Sequence, residues 1–443
     1  MGKKAPRRWY PILMIVMCIK LVLQAAISFR AAPKAIHIAL SQFAAVKNQA
    51  IPTYKSISRW LTQVGLYKLN CLKEQANDWA LIIDNSVQIG SHKFLVILGV
   101  RLSKLQGKAL TFEDMEILVM EIHEKSDATN VCKALEKAQK KVGKVTTVCA
   151  DDGPDLRGGI VLFCTKHKVG RIFDITHKIG TFLKKFLEKD PEWQAFTSAA
   201  AEAKRKMQQT QAAHLAPPNQ RTKSRFLNIE ILVHWGIDII MALESPKHPD
   251  KALLEKYCGW VRQHKELLER LKQMALISQK VRHHIREQGI CTSTGEQINK
   301  VLENALALSD FNEQACEYAG MLIDFCHEQS KIVPVDQVWV GSSEIIESLF
   351  GKLKSLEQDQ SKGGFTSLVL GVAACVGKVD ADIVGAAMRQ MSTADVDAWT
   401  KEQIGLTILS KRRKALGSWR KKNKVKNITQ EQVGILLKSV MGF

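Results

Sequence analysis

The chain has no C-x-x-C pair, and its 10 cysteines are scattered over 443 residues without a repeated spacing. That excludes a structural zinc site and a disulfide framework, and it points to reduced, mostly buried thiols in a cytoplasmic protein. There is no internal repeat and no long low-complexity segment. Acidic residues are in short supply: 44 Asp and Glu stand against 64 Lys and Arg, leaving a formal charge of +20. A surplus of that size works against self-association and favours polyanions, nucleic acid first and an acidic membrane surface second. An evident signal-cleavage site is also missing. Lys3, Lys4, Arg7 and Arg8 precede the apolar stretch Tyr10 to Ser28, which is the outline of a signal peptide or anchor. That stretch carries Lys20 and Gln24 and runs straight into a second helical pattern, so a buried helix is expected and no membrane association.

What is present is organised around Trp79-Ala80-Leu81-Ile82-Ile83-Asp84-Asn85-Ser86, an apolar run that ends on a carboxylate. With Lys93 to Val100 it reads as two short strands joined by a Gly-containing turn. Burying an unpaired carboxylate is costly, so Asp84 either caps the strand end or has partners. Upstream, a helical pattern over residues 29–50 breaks at Ala50-Ile51-Pro52. A second pattern then starts at Thr53, an N-cap candidate, with Ile57, Trp60 and Leu61 on one face. This is the layout of a helix-turn-helix, in which Tyr54, Lys55, Ser58 and Arg59 would face DNA; an ordinary helical hairpin with a wet face has the same pattern.

Downstream, Thr111 to Asp114 reads as the start of an amphipathic helix with acidic residues in its first turn, and Ser126 as the start of another ending near Gly143. Val145 to Ala150 is a strand that runs into Asp151 and Asp152. Ile160 to Thr165 and Arg171 to Phe173 are further candidate strands. A hairpin, helices and then a strand imply a mixed sheet flanked by helices, with ligand chemistry at the strand ends. From the basic amphipathic helix beginning near Phe182 to about Ser330 the pattern is helical throughout. Its basic residues, among them Lys204, Arg205, Lys206, Arg221, Lys223, Arg225, Arg282 and Arg286, could track phosphates. After Pro334 comes a helix with Ser342 or Ser343 as N-cap and Glu344 and Glu347 near one face of its first turn. The tail is helical and basic, with Lys411-Arg412-Arg413-Lys414 and Arg420-Lys421-Lys422 on either side of Trp419.

Carboxylates on separate elements of a basic protein suggest two-metal phosphoryl transfer, since Mg²⁺ prefers oxygen ligands and binds through a few carboxylates plus substrate phosphate. The motifs Ile-Ile-Asp84-Asn-Ser, Val-Cys-Ala-Asp151-Asp-Gly-Pro-Asp, Asp174-Ile-Thr-His177-Lys and Ser-Ser-Glu344-Ile-Ile-Glu347-Ser resemble, in this order, the core of a DDE transposase. The helical stretch before the glutamates resembles the insertion of hAT-type transposases, which also carry a Cys- or Asp-x-x-His motif after the second aspartate.

The resemblance implies a helix-rich α/β fold with a ribonuclease-H-like core. A helix-turn-helix region would span 1–75, the core 76–183 and 336–378, an all-helical insertion 184–335 and a basic helical region 379–443. It implies Asp84, Asp151 and Glu347 as ligands of two Mg²⁺ ions, with Mn²⁺ able to substitute. Asp152 and Glu344 are the alternatives, and His177 would act near the scissile strand or a flipped base, its plain alternative being a core histidine at a helix N-terminus. Glu347 followed by Lys354 fits the Glu-x₆-Lys spacing of one bacterial group in which the Lys contacts DNA phosphate. Val340 and Ser343 stand where that group has Tyr and Arg. Lys352 and Lys354 join Lys55, Ser58 and Arg59 as expected DNA contacts. The implied partners are double-stranded DNA, at inverted-repeat ends and at a target, and further copies of the chain in a homodimer or larger synaptic complex, at the bacterial nucleoid. The competing readings are a catalytically inactive DNA-binding regulator and a nuclease that cuts without joining.

Overall fold

A computed structural model describes residues 9–422 apart from 43–49, 88–91, 106, 125–126, 152, 221–225, 227–228, 307–310 and 359–363. The chain begins with α1 (Ile12–Leu23), the apolar stretch expected as a buried helix, in which Ile15, Cys18 and Ile19 have no exposed surface. Among the described residues no helix is long and apolar enough to cross a membrane. Next come α2 (Ala31–Ser41) and α3 (Tyr54–Asn70), and much of the connection between them lies outside the described residues. The Thr53 hydroxyl accepts the Ser56 N–H at 3.3 Å, so α3 starts where its cap residue predicts. Further along, α3 is a core helix. Ile57, Trp60, Leu61 and Val64 pack with α1 and α2, and Leu66 and Leu69 reach the core over the sheet. Its exposed basic residues, Lys55 and Arg59, sit in its first two turns.

The sheet has five strands in the order β3-β2-β1-β4-β5. β1 (Ala76–Val87) pairs antiparallel with β2 (Lys93–Arg101), and β2 pairs antiparallel with β3 (Glu116–His123). β3 corrects the helix expected from Thr111. The Asp114 carboxylate takes the N–H and the hydroxyl of Thr111 and closes a single 3-10 turn, Phe112–Asp114. The apolar residues that follow then complete the edge of β2, where an amphipathic helix would have left that edge unpaired. Helix α4 (Ala128–Val142) is capped by Asp127, and the expected start, Ser126, lies outside the described residues. β4 (Gly143–Ala150) runs parallel to β1.

Residues 160–165, expected as a strand, lie inside α5 (Pro154–His167). Pro154 presets its first turn, and Gly159 lets it lie against α4, since a Cβ there would stand 2.4 Å from the Val131 Cβ. A short apolar run reads alike in a strand and in a buried helix, and the proline at its start decides for the helix. β5 (Gly170–Phe173) is parallel to β4, as expected of Arg171 to Phe173. The order and directions are consistent with a ribonuclease-H-like core.

Helices carry the chain from there: α6 (Ile175–Leu187), α7 (Pro191–Met207), α8 (Ile229–Glu244), α9 (Lys251–Cys258), α10 (Lys265–Gln288), α11 (Thr294–Leu306) and α12 (Glu313–Ser330). They share one apolar cluster with the sheet, from Ile82 and Val96 through Trp193 and Leu268 to Phe325. Finally come α13 (Glu344–Gln358), α14 (Leu370–Cys375), α15 (Ala381–Gln390), α16 (Thr393–Gln403) and α17 (Ile408–Lys422). α17 exposes Lys411 to Lys414, whereas the side chains of Trp419 to Lys422 lie outside the described residues.

α3 and α14 are locked together. Lys68 donates to the carbonyls of Ala374 at 3.0 Å and Val376 at 2.6 Å, and burial lowers its pKa to about 8. A Cβ on Gly65 would stand 1.9 Å from the Leu370 carbonyl oxygen, an atom of the backbone that cannot turn aside. Gly65→Ala is therefore expected to cost about 3 kcal/mol or more through overpacking, read as a lower urea midpoint with an unchanged slope. A variant as stable as the parent would show that α3 and α14 do not approach this closely.

Candidate active site

The site is assembled where β4 ends, beside the part of β1 that carries Asp84. β1 does not stop at Asp84, as its apolar run suggests, but continues to Val87 because Asp84 to Val87 remain paired with β2. The parallel register sets Ile82 opposite Cys149, so Asp84, inside β1, and Asp151, just past β4, each two residues on, stand side by side. Side chains alternate along a strand, which puts both carboxylates on the face of Ile82 and Cys149, the face covered by α6 and α13. The Asp84 carboxylate accepts the Asn85 N–H at 2.6 Å, and Asp151 accepts the Gly153 N–H at 3.2 Å. α6 starts just after β5. Asp174 caps it, with no exposed surface, and its carboxylate takes the Thr176 N–H at 2.9 Å, the His177 Nδ1 at 2.7 Å and the Ser343 hydroxyl at 2.6 Å.

This clamp aims the other ring nitrogen of His177 across the site. Nε2 lies 3.8 Å from Asp151 Oδ2 and 3.6 Å from Glu347 Oε1. The structure thus brings Asp151 and Glu347 to the His177 ring, with Asp84 beside Asp151. Asp174, His177 and Glu347 also offer ligand atoms within 4.8 Å of one another, so an acidic and imidazole cluster that could hold a metal ion is present. Asp174 already accepts hydrogen bonds from three neighbours, and its oxygens are committed to the clamp.

The first-turn glutamates of α13 diverge. Glu347 faces His177 and has a side chain 40% exposed. Glu344 accepts the Thr176 hydroxyl at 3.0 Å and lies 3.8 Å from Arg282 and 3.6 Å from Arg286, both on α10. Arg282 also pairs with Glu230 at 2.9 Å. These two arginines, expected as phosphate contacts, therefore face carboxylates of the protein itself. The Ser342 hydroxyl accepts the Glu344 N–H at 3.2 Å, which leaves Ser343 free for the clamp.

The electrostatics follow from burial and then from crowding. Burial and the neighbouring Asp151 charge push the Asp84 carboxyl up to about 7, with Glu347 adding to the rise. Burial, together with the charges of Asp174, Glu344 and Asp151, raises the Glu347 carboxyl, against the opposing pull of His177. Burial alone would lower the His177 imidazole, but the hydrogen bond and charge of Asp174, with Asp151 and Glu347, overcome it and raise the pKa to about 9. The Lys178 ammonium, next in sequence, lies 5.3, 4.8 and 5.1 Å from the ring centroids of Phe173, Phe182 and Phe325, fastening the start of α6 to α12.

The expected DNA contacts are placed differently. Lys354 is exposed and lies two turns along α13 from Glu347, near the same face. Lys352 is half-buried, with its amine 3.4 Å from the Leu23 carbonyl. Lys55, Ser58 and Arg59 line a separate cleft at the start of α3. Asp152, the alternative to Asp151, lies outside the described residues. Sequence reasoning missed the Ser343 donor and the pairing of Glu344 with α10. The serine before the helix was visible as a cap, but a contact 169 positions away was not.

Neither a family model nor a curated protein sequence matches the chain. Among solved structures it is similar to a Drosophila P element transposase strand transfer complex, at 12% identity and a TM-score of 0.39, over 87% of this chain and 94% of that one.

The raised carboxyl of Asp84 makes stability depend on pH in the metal-free protein. Its folded pKa of about 7 exceeds the ordinary 3.8, so its contribution is present in full below about pH 4 and is lost as pH rises toward 7. His177 acts in the same direction, losing its contribution as pH rises through about 9. In EDTA, Asp84→Asn is expected to melt above the parent at pH 7.5, with the gap narrowing at pH 5. A gap that widens at pH 5 would contradict this account.

Proposed function

We propose that the chain is a DNA strand transferase of the DDE transposase type, cleaving DNA at transposon ends and joining the freed end to target DNA. The observation that carries this reading is the convergence of Asp84, Asp151 and Glu347 on one end of the sheet, where burial first, and then the Asp151 charge, raise the Asp84 carboxyl to about 7. Such a surplus of negative charge calls for a cation. An all-carboxylate donor set suits a hard ion such as Mg²⁺, or Mn²⁺ in its place, so the residues present fit the metal. Asp84, Asp151 and Glu347 would hold it. When bound, a pair of such ions supplies activation of the attacking oxygen and stabilisation of the leaving one.

The remaining work falls to the chain. Asp174 and Ser343 fix the imidazole of His177, and its Nε2–H, charged at neutral pH, holds Asp151 and Glu347 in place and faces incoming phosphate. Glu344 serves α10 and α6 through Arg282, Arg286 and Thr176, so it is the structural member of the pair. Lys354, exposed near the face of α13 that carries Glu347, would meet the DNA strand there, while Lys352 turns to the Leu23 carbonyl; exposed Lys411 to Lys414 favour flanking or target DNA. Two DNA ends acted on together call for a homodimer or larger synaptic assembly.

The test is a Mg²⁺-dependent cleavage and strand-transfer assay on duplexes taken from both flanks of the protein's own coding region. Asp84→Ala, Asp151→Ala and Glu347→Ala are expected to lower both steps by more than about a hundredfold, beyond the 10–100-fold that loss of an outer-shell partner costs. Glu344→Ala should cost no more than the roughly 10–100-fold of such an outer-shell partner. Absence of cleavage by the parent protein would favour a DNA-binding regulator, cleavage without joining a nuclease, and a dead Glu344→Ala beside an active Glu347→Ala would overturn the assignment.

A further inference from the structure

At the start of α3 is a cleft of about 310 Å³, at the lower end of the ~300–1,000 Å³ of small-ligand sites. Its walls are Arg30, Tyr54, Lys55 and Arg59, and its floor is apolar, with Phe29 at 7% and Leu368 at 3% exposure. Among the described residues no acidic side chain lines it. Among the described residues, neither Lys55 nor Arg59 has an ion-pair partner. Arg30 lies over the Tyr54 ring at 5.9 Å and steadies it as one wall, yet Tyr54 remains 42% exposed. Phe29 also lines a neighbouring cleft whose far side carries Lys352 and Ser355 of α13, the helix of Glu347. The two clefts therefore share Phe29, and the second reaches the helix of the candidate active site.

These features do not suit reading of a duplex groove. A recognition helix must protrude to enter the major groove, whereas the exposed residues in the first two turns of α3 line a concavity and most of the rest of the helix is packed into the core. An aromatic wall, an apolar floor and unpaired cations at the rim match a single nucleotide instead: the base goes inside against Tyr54, and its flanking phosphates lie on Lys55 and Arg59. We infer that this cleft binds an unpaired nucleotide of a DNA strand, so that it recognises single-stranded or frayed DNA near a cleaved end. The inference rests on the reading of the protein as one that acts on DNA, but it does not depend on cleavage.

The experiment is fluorescence anisotropy with full-length protein in EDTA, using a labelled single-stranded oligonucleotide of mixed sequence and the blunt duplex of the same sequence. Asp84→Asn is included so that binding is read apart from catalysis. Tyr54→Ala should weaken single-strand binding about five- to a hundredfold, the range for loss of one stacked base, and change duplex binding less than about twofold. Tyr54→Phe should bind like the parent, and Arg59→Ala should flatten the salt dependence for the single strand. A deoxynucleoside monophosphate should compete only at concentrations more than about a hundredfold above those of the oligonucleotide, since it lacks the second phosphate contact. Equal weakening of duplex and single strand by Tyr54→Ala, no weakening of either, or a mononucleotide that competes as well as the oligonucleotide would each overturn the proposal. Cleavage could fail in every variant while these binding differences stand, so the two readings fail separately.

Discussion

Carboxylates brought together at the end of a sheet repel one another, and much of the local architecture answers that repulsion. Asp84 and Asp151 are adjacent because β1 and β4 are parallel and in register there, so the fold itself imposes the crowding. Part of it is relieved by keeping the Asp84 carboxyl near its titration point, and part by His177, whose imidazole is held as a cation between Asp151 and Glu347. That cation would wander without Asp174. Buried and bonded to a backbone N–H, a hydroxyl and the ring itself, Asp174 is a fixed point shared by β5, α6 and α13. A neutral residue at Asp174 would leave the imidazole free to turn and the Ser343 hydroxyl without its acceptor.

The helices between β5 and α13 form a layer fastened to this centre. α10 reaches Glu344 with Arg282 and Arg286, α12 surrounds Lys178 through Phe325, and Gln329 of α12 accepts the N–H of Phe173 at the end of β5 at 2.9 Å. Each contact lands within a few residues of Asp174, His177 or Glu347. Because the helices and the sheet also share one apolar cluster, a displacement of α10 or α12 would be felt at the carboxylates. This gives the helical segment a role in shaping the site in addition to any contact with DNA.

Some of this was legible in the residues and some was not, for identifiable reasons. Asp84 and Asp151 stood out because each follows an apolar run, where a carboxylate needs a cap role or partners, although β1 in fact continues past Asp84 to Val87. Asp174 and His177 stood out as an Asp-x-x-His motif, but that Asp174 caps α6 and holds the ring at 2.7 Å is known from the structure alone. The spacing of Glu344 and Glu347 could not separate them, because what distinguishes them is Arg282 and Arg286 on a distant helix. β3 was hidden because Thr111 to Asp114 has the chemistry of a helix start, yet the open edge of β2 offered the following residues a better use of their backbone. α5 was hidden because Ile160 to Phe163 has no period that separates strand from helix. The burial of α3 was hidden because its long-range partners, Leu370 and the carbonyls after Ala373, lie some 300 positions away.

The central claim is that Asp84, Asp151 and Glu347, rather than Glu344 or the Asp174 clamp, form the metal site. Crystals of the full-length protein soaked in Mn²⁺ and measured for anomalous scattering test it directly. The account predicts density against the carboxylate oxygens of Asp84, Asp151 and Glu347, with the hydrogen bond from His177 to Asp174 intact. Density bound by Glu344, or by Asp174 with the His177 ring turned away from it, would contradict the account.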